Sequence, residues 1–164
     1  MKALTICQPI DLDSLAADGF GHWVAGFIDG EGCFYITEGQ GSHRCVFRLK
    51  LRADDGPILH EIVRRTGLGY VKEFTPRSAR PQCEWYVVSK SDAAAPVRFL
   101  ERFPLRAKKS RDFAIWRAAV DTHSRIRIVS RHKGTGKING TVRDSGQVIL
   151  ATLKRELMDV RTYR

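Results

Sequence analysis

The sequence is notable first for what it lacks. No apolar run approaches the roughly 18 residues that a membrane-spanning helix needs, so no membrane partner is expected. The four cysteines, Cys7, Cys33, Cys45 and Cys83, form neither a CxxC pair nor a Cys/His cluster with zinc spacing. They read as reduced, mostly buried thiols. His22, His43, His60, His123 and His132 are scattered, with no HxxxH pair. There is no GxxxxGK[ST] phosphate loop, which argues against a P-loop ATPase. No Asp or Glu is followed two residues later by Lys, so a restriction-type [DE]xK centre is missing. The stretch "DGEGCF" fails as the start of a calcium loop, because Cys33 stands where a third oxygen ligand belongs. The opening "MKALTICQPIDLDSL" has no long apolar core and turns acidic early, so no secretion signal is expected.

What is present is an ordinary globular composition with an unusual charge. The 164 residues are 43% hydrophobic and 28% charged, which suits one domain with a real core. The net charge is +10 and is unevenly spread, with −3 over residues 1–60 and +13 over residues 61–164. A basic surface of that size attracts polyanions, nucleic acid foremost.

Residues 1–17 read as an irregular leader. A helix is predicted from about Gly19 to Asp29, with Phe20, Trp23, Val24, Phe27 and Ile28 on one side and Ala25, Gly26 and Gly30 on another. Glycine costs about 1 kcal/mol relative to alanine inside a helix, so small residues at this spacing point to close approach of a second backbone; a fraying helix end is the alternative. "CFYIT" reads as a strand and "EGQGS" as a loop. In "RCVFRLKLR", Cys45, Phe47, Leu49 and Leu51 alternate with Arg48, Lys50 and Arg52, and Val46 interrupts the basic side. Such a strand sends one face into the core and presents the other as a comb of cations about 6.6 Å apart. "DDGPILHEIVRRTG" reads as a helix with Asp55 as N-cap, Pro57 in its first turn and Gly67 as its stop. A hairpin around "PRSARP" follows, then helices from about Ala95 to Phe103 and Lys108 to Asp121. A basic loop or arm covers residues 125–143, and a last helix is capped by Ser145. The order α-β-β-α-β-β-α-α-loop-α is that of a single α+β domain.

The predicted first helix ends on Asp29 and Glu31, where the helix dipole disfavours a carboxylate by about 0.3–1 kcal/mol. Such a placement is either an accident of the surface or a site built for a cation, and Glu31 is the best candidate metal ligand in the chain. "WVAGFIDGEGCF" resembles the motif of LAGLIDADG homing endonucleases, matched position by position from Val24 to Gly32 with conservative changes at 24, 27 and 31. "DDGPILHEIVRRTGLGYV" and "FPLRAKKSRDFAIW" resemble the same family's following helix, third strand and late helix, so the likeness spans about residues 18–120.

The resemblance implies an αββαββα fold with an antiparallel DNA-binding sheet, here over residues 18–120, followed by extra C-terminal helices within residues 121–164 of the same domain. It implies that Ala25, Gly26, Asp29 and Gly30 pack against a second motif helix. It gives Glu31, with the Gly30 carbonyl, to Mg2+ or Mn2+, and Lys108 or Lys109, with Arg52 second to them, to a role beside the scissile phosphates. Leu51 or Ala53 stands where some members place a polar residue beside the metal. Strand faces would contribute DNA contacts through Tyr35, Thr37, Arg44, Arg48, Lys50, Arg52, Lys72, Arg77, Arg80, Glu84 and Tyr86. The motif occurs once, so a homodimer on a near-palindromic double-stranded DNA site is expected, cut to leave short 3′ overhangs. The alternative is a non-cleaving binder on the same scaffold, either an intron RNA maturase or a DNA-binding regulator. The 125–143 segment is either a wrap for the duplex flanks or a loop. Arg- and Ala-rich usage points to a cytoplasmic, bacterial or phage-encoded protein rather than an organellar one.

Overall fold

The computed structural model of the chain describes residues 10–39, 42–77, 80–88, 94–132 and 140–162, with the side chains of residues 127–144 left aside. Two helices come first, α1 (Leu12–Ala17) and α2 (Phe20–Glu31), followed by the hairpin β1 (Gly32–Gly39) and β2 (Ser42–Arg52). A single 3-10 turn, Ala53–Asp55, leads into α3 (Gly56–Thr66), and β3 (Tyr70–Phe74) and β4 (Gln82–Val88) form the second hairpin. Three helices end the chain: α4 (Ala94–Arg102), α5 (Lys109–His132) and α6 (Gly140–Asp159).

The strands form one antiparallel sheet in the order β1-β2-β4-β3, with β1 and β3 at its edges. Phe34, Ile36, Cys45, Phe47, Leu49, Cys83, Trp85 and Val87 point to one face. There they meet Val24, Ala25 and Ile28 of α2, Leu59 and Ile62 of α3, Phe99 and Leu100 of α4, and Trp116 and Ala119 of α5. Phe34, Phe47, Trp85 and Trp116 form its centre, with Phe34 5.4 Å from Trp116 and Phe47 edge-on to Trp85 at 5.0 Å between ring centroids. The Trp85 indole N–H donates to the Leu68 carbonyl at 2.7 Å, so the buried ring leaves no orphan donor. The helix residues of this core lie on the same face as those strand side chains, and Arg44, Arg48, Lys50 and Arg52 take the opposite face.

The structure corrects three readings of the sequence. The leader contains α1, closed by the Asp11 carboxylate, which accepts the Ser14 N–H at 3.0 Å, and anchored by buried Leu15. Helix α5 does not stop at Asp121 but runs to His132, so the first part of the expected arm is helical; residues 133–139 lie outside the described residues. The reason is an apolar stripe, Ile115, Trp116, Ala119, Val120 and Ile126, that continues beneath the basic exterior. Helix α6 begins at Gly140, which places Ser145 inside the helix rather than at its cap.

Helix α6 packs behind the β1–β2 hairpin. Gly146 lets α5 come close, since a Cβ there would stand 2.3 Å from Ile126 Cδ1. His43 Nδ1 and Gln147 Oε1 are 2.6 Å apart, and Lys154 donates to Glu38 at 3.0 Å. Arg161 bonds Asp112 at 2.7 Å and also the Phe34 carbonyl.

Candidate active site and nucleic-acid face

Glu31 is the last residue of α2 and its side chain is exposed. The helix runs straight into β1, so the carboxylate stands at one edge of the sheet. Beside it the Lys109 ammonium donates to the carbonyls of Asp29 at 2.9 Å and Gly30 at 2.7 Å. A cation on the last carbonyls of a helix offsets the negative dipole end that an acidic terminus aggravates. Of the two lysines left open by the sequence, Lys109 makes these contacts, while Lys108 is an exposed neighbour.

Asp29 has a different occupation. Its Oδ2 accepts the backbone N–H groups of Arg106 at 2.6 Å and Ala107 at 2.9 Å, and its Oδ1 is buried without a hydrogen-bond partner. The acid therefore staples the loop between α4 and α5 to the motif helix, and that loop carries Lys109 into place. Two carboxylates two residues apart thus do separate work, Asp29 inside the chain and Glu31 outside it.

Among the described residues there is no group of three His, Cys, Asp or Glu side chains able to hold a metal alone. The donors at this helix end are nevertheless suited to a hard divalent ion. Glu31 offers carboxylate oxygens, and the Gly30 carbonyl keeps a second lone pair beyond the one Lys109 uses. Mg2+ is typically held by one or two carboxylates plus substrate phosphates, which is the donor count one chain can supply here.

The side of α2 away from the core is open. Trp23, Gly26 and Gly30 recur at i, i+3 and i+7, with Phe27, partly packed on the core, at the margin, and nothing lies within 4 Å of a Cβ built on Gly26 or Gly30. Trp23 is 43% exposed and stacks on Phe27 at 5.4 Å. Two expectations change. Ala25, 3% exposed, belongs to the chain's own core rather than to the open stripe. Trp23, grouped by its spacing on one side with Val24 and Ile28, faces outward while those two are buried; its spacing from Gly26 and Gly30 was the available signal.

The uncovered face of the sheet is arranged in cross-strand rows. Register places Thr37 opposite Arg44, and Tyr35 opposite Val46 and Val88. The next rows read Cys33, Arg48, Tyr86, Tyr70; then Lys50, Glu84, Lys72; then Arg52, Gln82, Phe74. The alternation read in β2 is present, with Cys45, Phe47 and Leu49 buried, and Arg44, Lys50 and Arg52 exposed. Val46 is only 1% exposed despite lying on the outer side. Arg48 lies over the Tyr35 ring, 4.9 Å from its centroid. Burial pushes the Tyr35 hydroxyl up to about 12, so it stays a donor at neutral pH. Arg52 is tied to Asp54 at 2.5 Å and, with exposed Arg80, lines a shallow depression of about 220 Å³ at the end of the sheet. Arg77 is exposed beyond β3. The sequence did not show that Glu84 is buried among these cations, because alternation tells which face a residue takes and not how its neighbours close over it.

The sequence profile of the LAGLIDADG endonucleases matches residues 24–120. The chain belongs to the LAGLIDADG endonuclease family. A probable intron-encoded endonuclease of Neurospora crassa is 26% identical over 102 residues, covering 62% of this chain and 22% of the relative. Among solved structures, the archaeal intron-encoded homing endonuclease I-Vdi141I complexed with DNA superposes with a TM-score of 0.70 at 18% identity, over 90% of this chain and 89% of that one. The homing endonuclease I-TnaI is similar at a TM-score of 0.62 and 24% identity, over 86% and 97%. The meganuclease I-AabMI, bound to uncleaved DNA, gives 0.67 at 22%, over 84% of this chain but 44% of its own. At these identities the likeness establishes the fold. The chain spans about a fifth of the Neurospora relative and under half of I-AabMI, but most of I-Vdi141I and I-TnaI.

Proposed function

We propose that this LAGLIDADG protein is a homing endonuclease that hydrolyses both strands of a long, near-palindromic DNA duplex as a homodimer, with Mg2+ or Mn2+, leaving short 3′ overhangs. The observation that carries the reading is Glu31: an exposed carboxylate at the end of the motif helix, beside Lys109 and next to an open glycine stripe. A protein that only binds phosphates has no use for an acid aimed at them.

In this mechanism the sheet's outer face lies in the major groove, which admits a two-stranded ribbon. Arg44, Arg48, Lys50 and Lys72 supply phosphate and base contacts. Two copies meet through Gly26 and Gly30, which brings two Glu31 carboxylates to the middle of the site, one for each strand. Glu31 and the Gly30 carbonyl would hold the divalent ion, which when bound would supply stabilisation of the negative charge that develops at the scissile phosphate. Lys109 keeps two ammonium protons on the Asp29 and Gly30 carbonyls and has a third to offer a scissile phosphate oxygen. Asp29 maintains the loop that positions Lys109.

Cleavage of a randomised palindromic duplex library with Mg2+, comparing wild type with Glu31→Gln, tests this. Linear products from wild type alone are expected, and both proteins should bind the recovered site. Absence of cutting by either protein, with tight binding of structured intron RNA by both, would replace the nuclease by a maturase.

A further inference from the structure

The DNA face has an anion at its centre. Glu84 is 7% exposed, and its Oε1 is buried without a hydrogen-bond partner. Register sets it directly between Lys50 and Lys72. Yet both ammonium groups lie toward Phe74, at 5.4 Å and 5.9 Å from its ring centroid. The cation that reaches the carboxylate is Arg48, whose Nη1 stands 3.4 Å from Oε1 while its guanidinium covers Tyr35. The guanidinium is held from two sides, and the Arg48 side chain as a whole remains 41% exposed.

A buried carboxylate is a poor neighbour for phosphate. It only accepts hydrogen bonds, so it also repels the acceptor edges of guanine and thymine. What it can accept in the major groove is the exocyclic amino group of cytosine or adenine. Arg48 has the opposite preference, for the O6 and N7 acceptors of guanine. One C·G pair presents an amino edge and a double-acceptor edge side by side.

On the reading that this face binds duplex DNA, we infer that Glu84 is a specificity-determining residue, which keeps phosphate off the centre of the face and selects a base pair with an amino edge, with Arg48 reading the adjoining acceptors. The rim cations then supply affinity and the Arg48–Glu84 pair supplies discrimination.

The test is selection of bound sequences from a randomised duplex library by wild type, Glu84→Gln and Arg48→Gln, with thermal melting to show that each variant is folded. Glu84→Gln keeps the side-chain volume and removes the charge. The expected result is loss of preference at one position in each half-site, by roughly 5- to 150-fold, together with tighter binding to random duplex. Arg48→Gln, at a partly exposed site, should relax the same position or its neighbour. A binding profile unchanged in both variants, or weakened equally for every sequence, overturns the role of Glu84 while leaving the nuclease reading standing. A wild-type protein that selects no duplex sequence overturns both.

Discussion

The Lys109 ammonium donates to the Gly30 carbonyl at 2.7 Å, with the Glu31 carboxylate on the next residue. Replacing Lys109 by Met keeps most of the side chain's length and removes the cation. Strand cleavage should fall by about 10²–10³-fold, as when one preorganised donor to a developing negative charge is lost. Duplex affinity should change little, because the cationic comb of β2 is intact. Single-turnover cleavage alongside a binding titration separates the two; equal losses in both would make Lys109 a simple phosphate contact.

Asp29 is predicted to act on stability. Its Oδ2 receives two backbone N–H groups from the α4–α5 loop. Asp29→Ala leaves both donors without that acceptor, at a cost of about 1.5–3 kcal/mol. The corresponding fall in melting temperature is roughly 3–10 °C. Asp29→Asn retains an acceptor oxygen and should recover part of it. An unchanged melting curve for Asp29→Ala would remove the staple from the account.

These two residues show what the sequence discloses. The 3.6-residue period of α2 and the alternation of β2 follow from local chain geometry, so both elements and the position of Glu31 were legible. The choice between Lys108 and Lys109 was not, since it depends on how the loop after α4 folds back on α2 some 80 residues away in sequence. Trp23 misled because its spacing groups it with Val24 and Ile28, and only the fold shows where along that apolar side the burial stops. The length of α5 was hidden for a related reason: its basic exterior masks an apolar stripe that matters only once α6 lies against it.

Alkaline stability should reveal two desolvated acids of the sheet, buried Cys45 and half-buried Tyr35. Burial raises the Cys45 thiol from its ordinary 9.0 to about 12, and Tyr35 from 10.0 to about 12. Both groups then stay protonated in the folded chain while the unfolded chain loses its protons first. The unfolded state binds fewer protons, so stability falls as pH rises. The contribution is whole below about pH 9 and is lost progressively towards pH 12. Urea midpoints should drop between pH 8 and pH 11, and less steeply in Cys45→Val. An identical slope in the variant would contradict the assignment to Cys45.

Two glycines of α2 should respond in opposite ways to added carbon. A Cβ on Gly21 would stand 2.3 Å from the Phe103 ring, whereas one on Gly26 meets nothing within 4 Å. Gly21→Ala must displace a fully buried phenylalanine, and overpacking of this kind costs about 1–3 kcal/mol. Gly26→Ala carries no such clash and gains up to about 1 kcal/mol of helix propensity in the isolated chain. If Gly26 faces a second copy, however, a larger side chain there separates two backbones that need to touch. Gly26→Leu should therefore melt as a monomer no earlier than wild type, yet sediment as a monomer at concentrations where wild type is a dimer. Sedimentation velocity and thermal melting on the same samples decide the point. A Gly26→Leu protein that still dimerises would move the interface away from the stripe, and with it the argument that two Glu31 carboxylates meet at the centre of one DNA site.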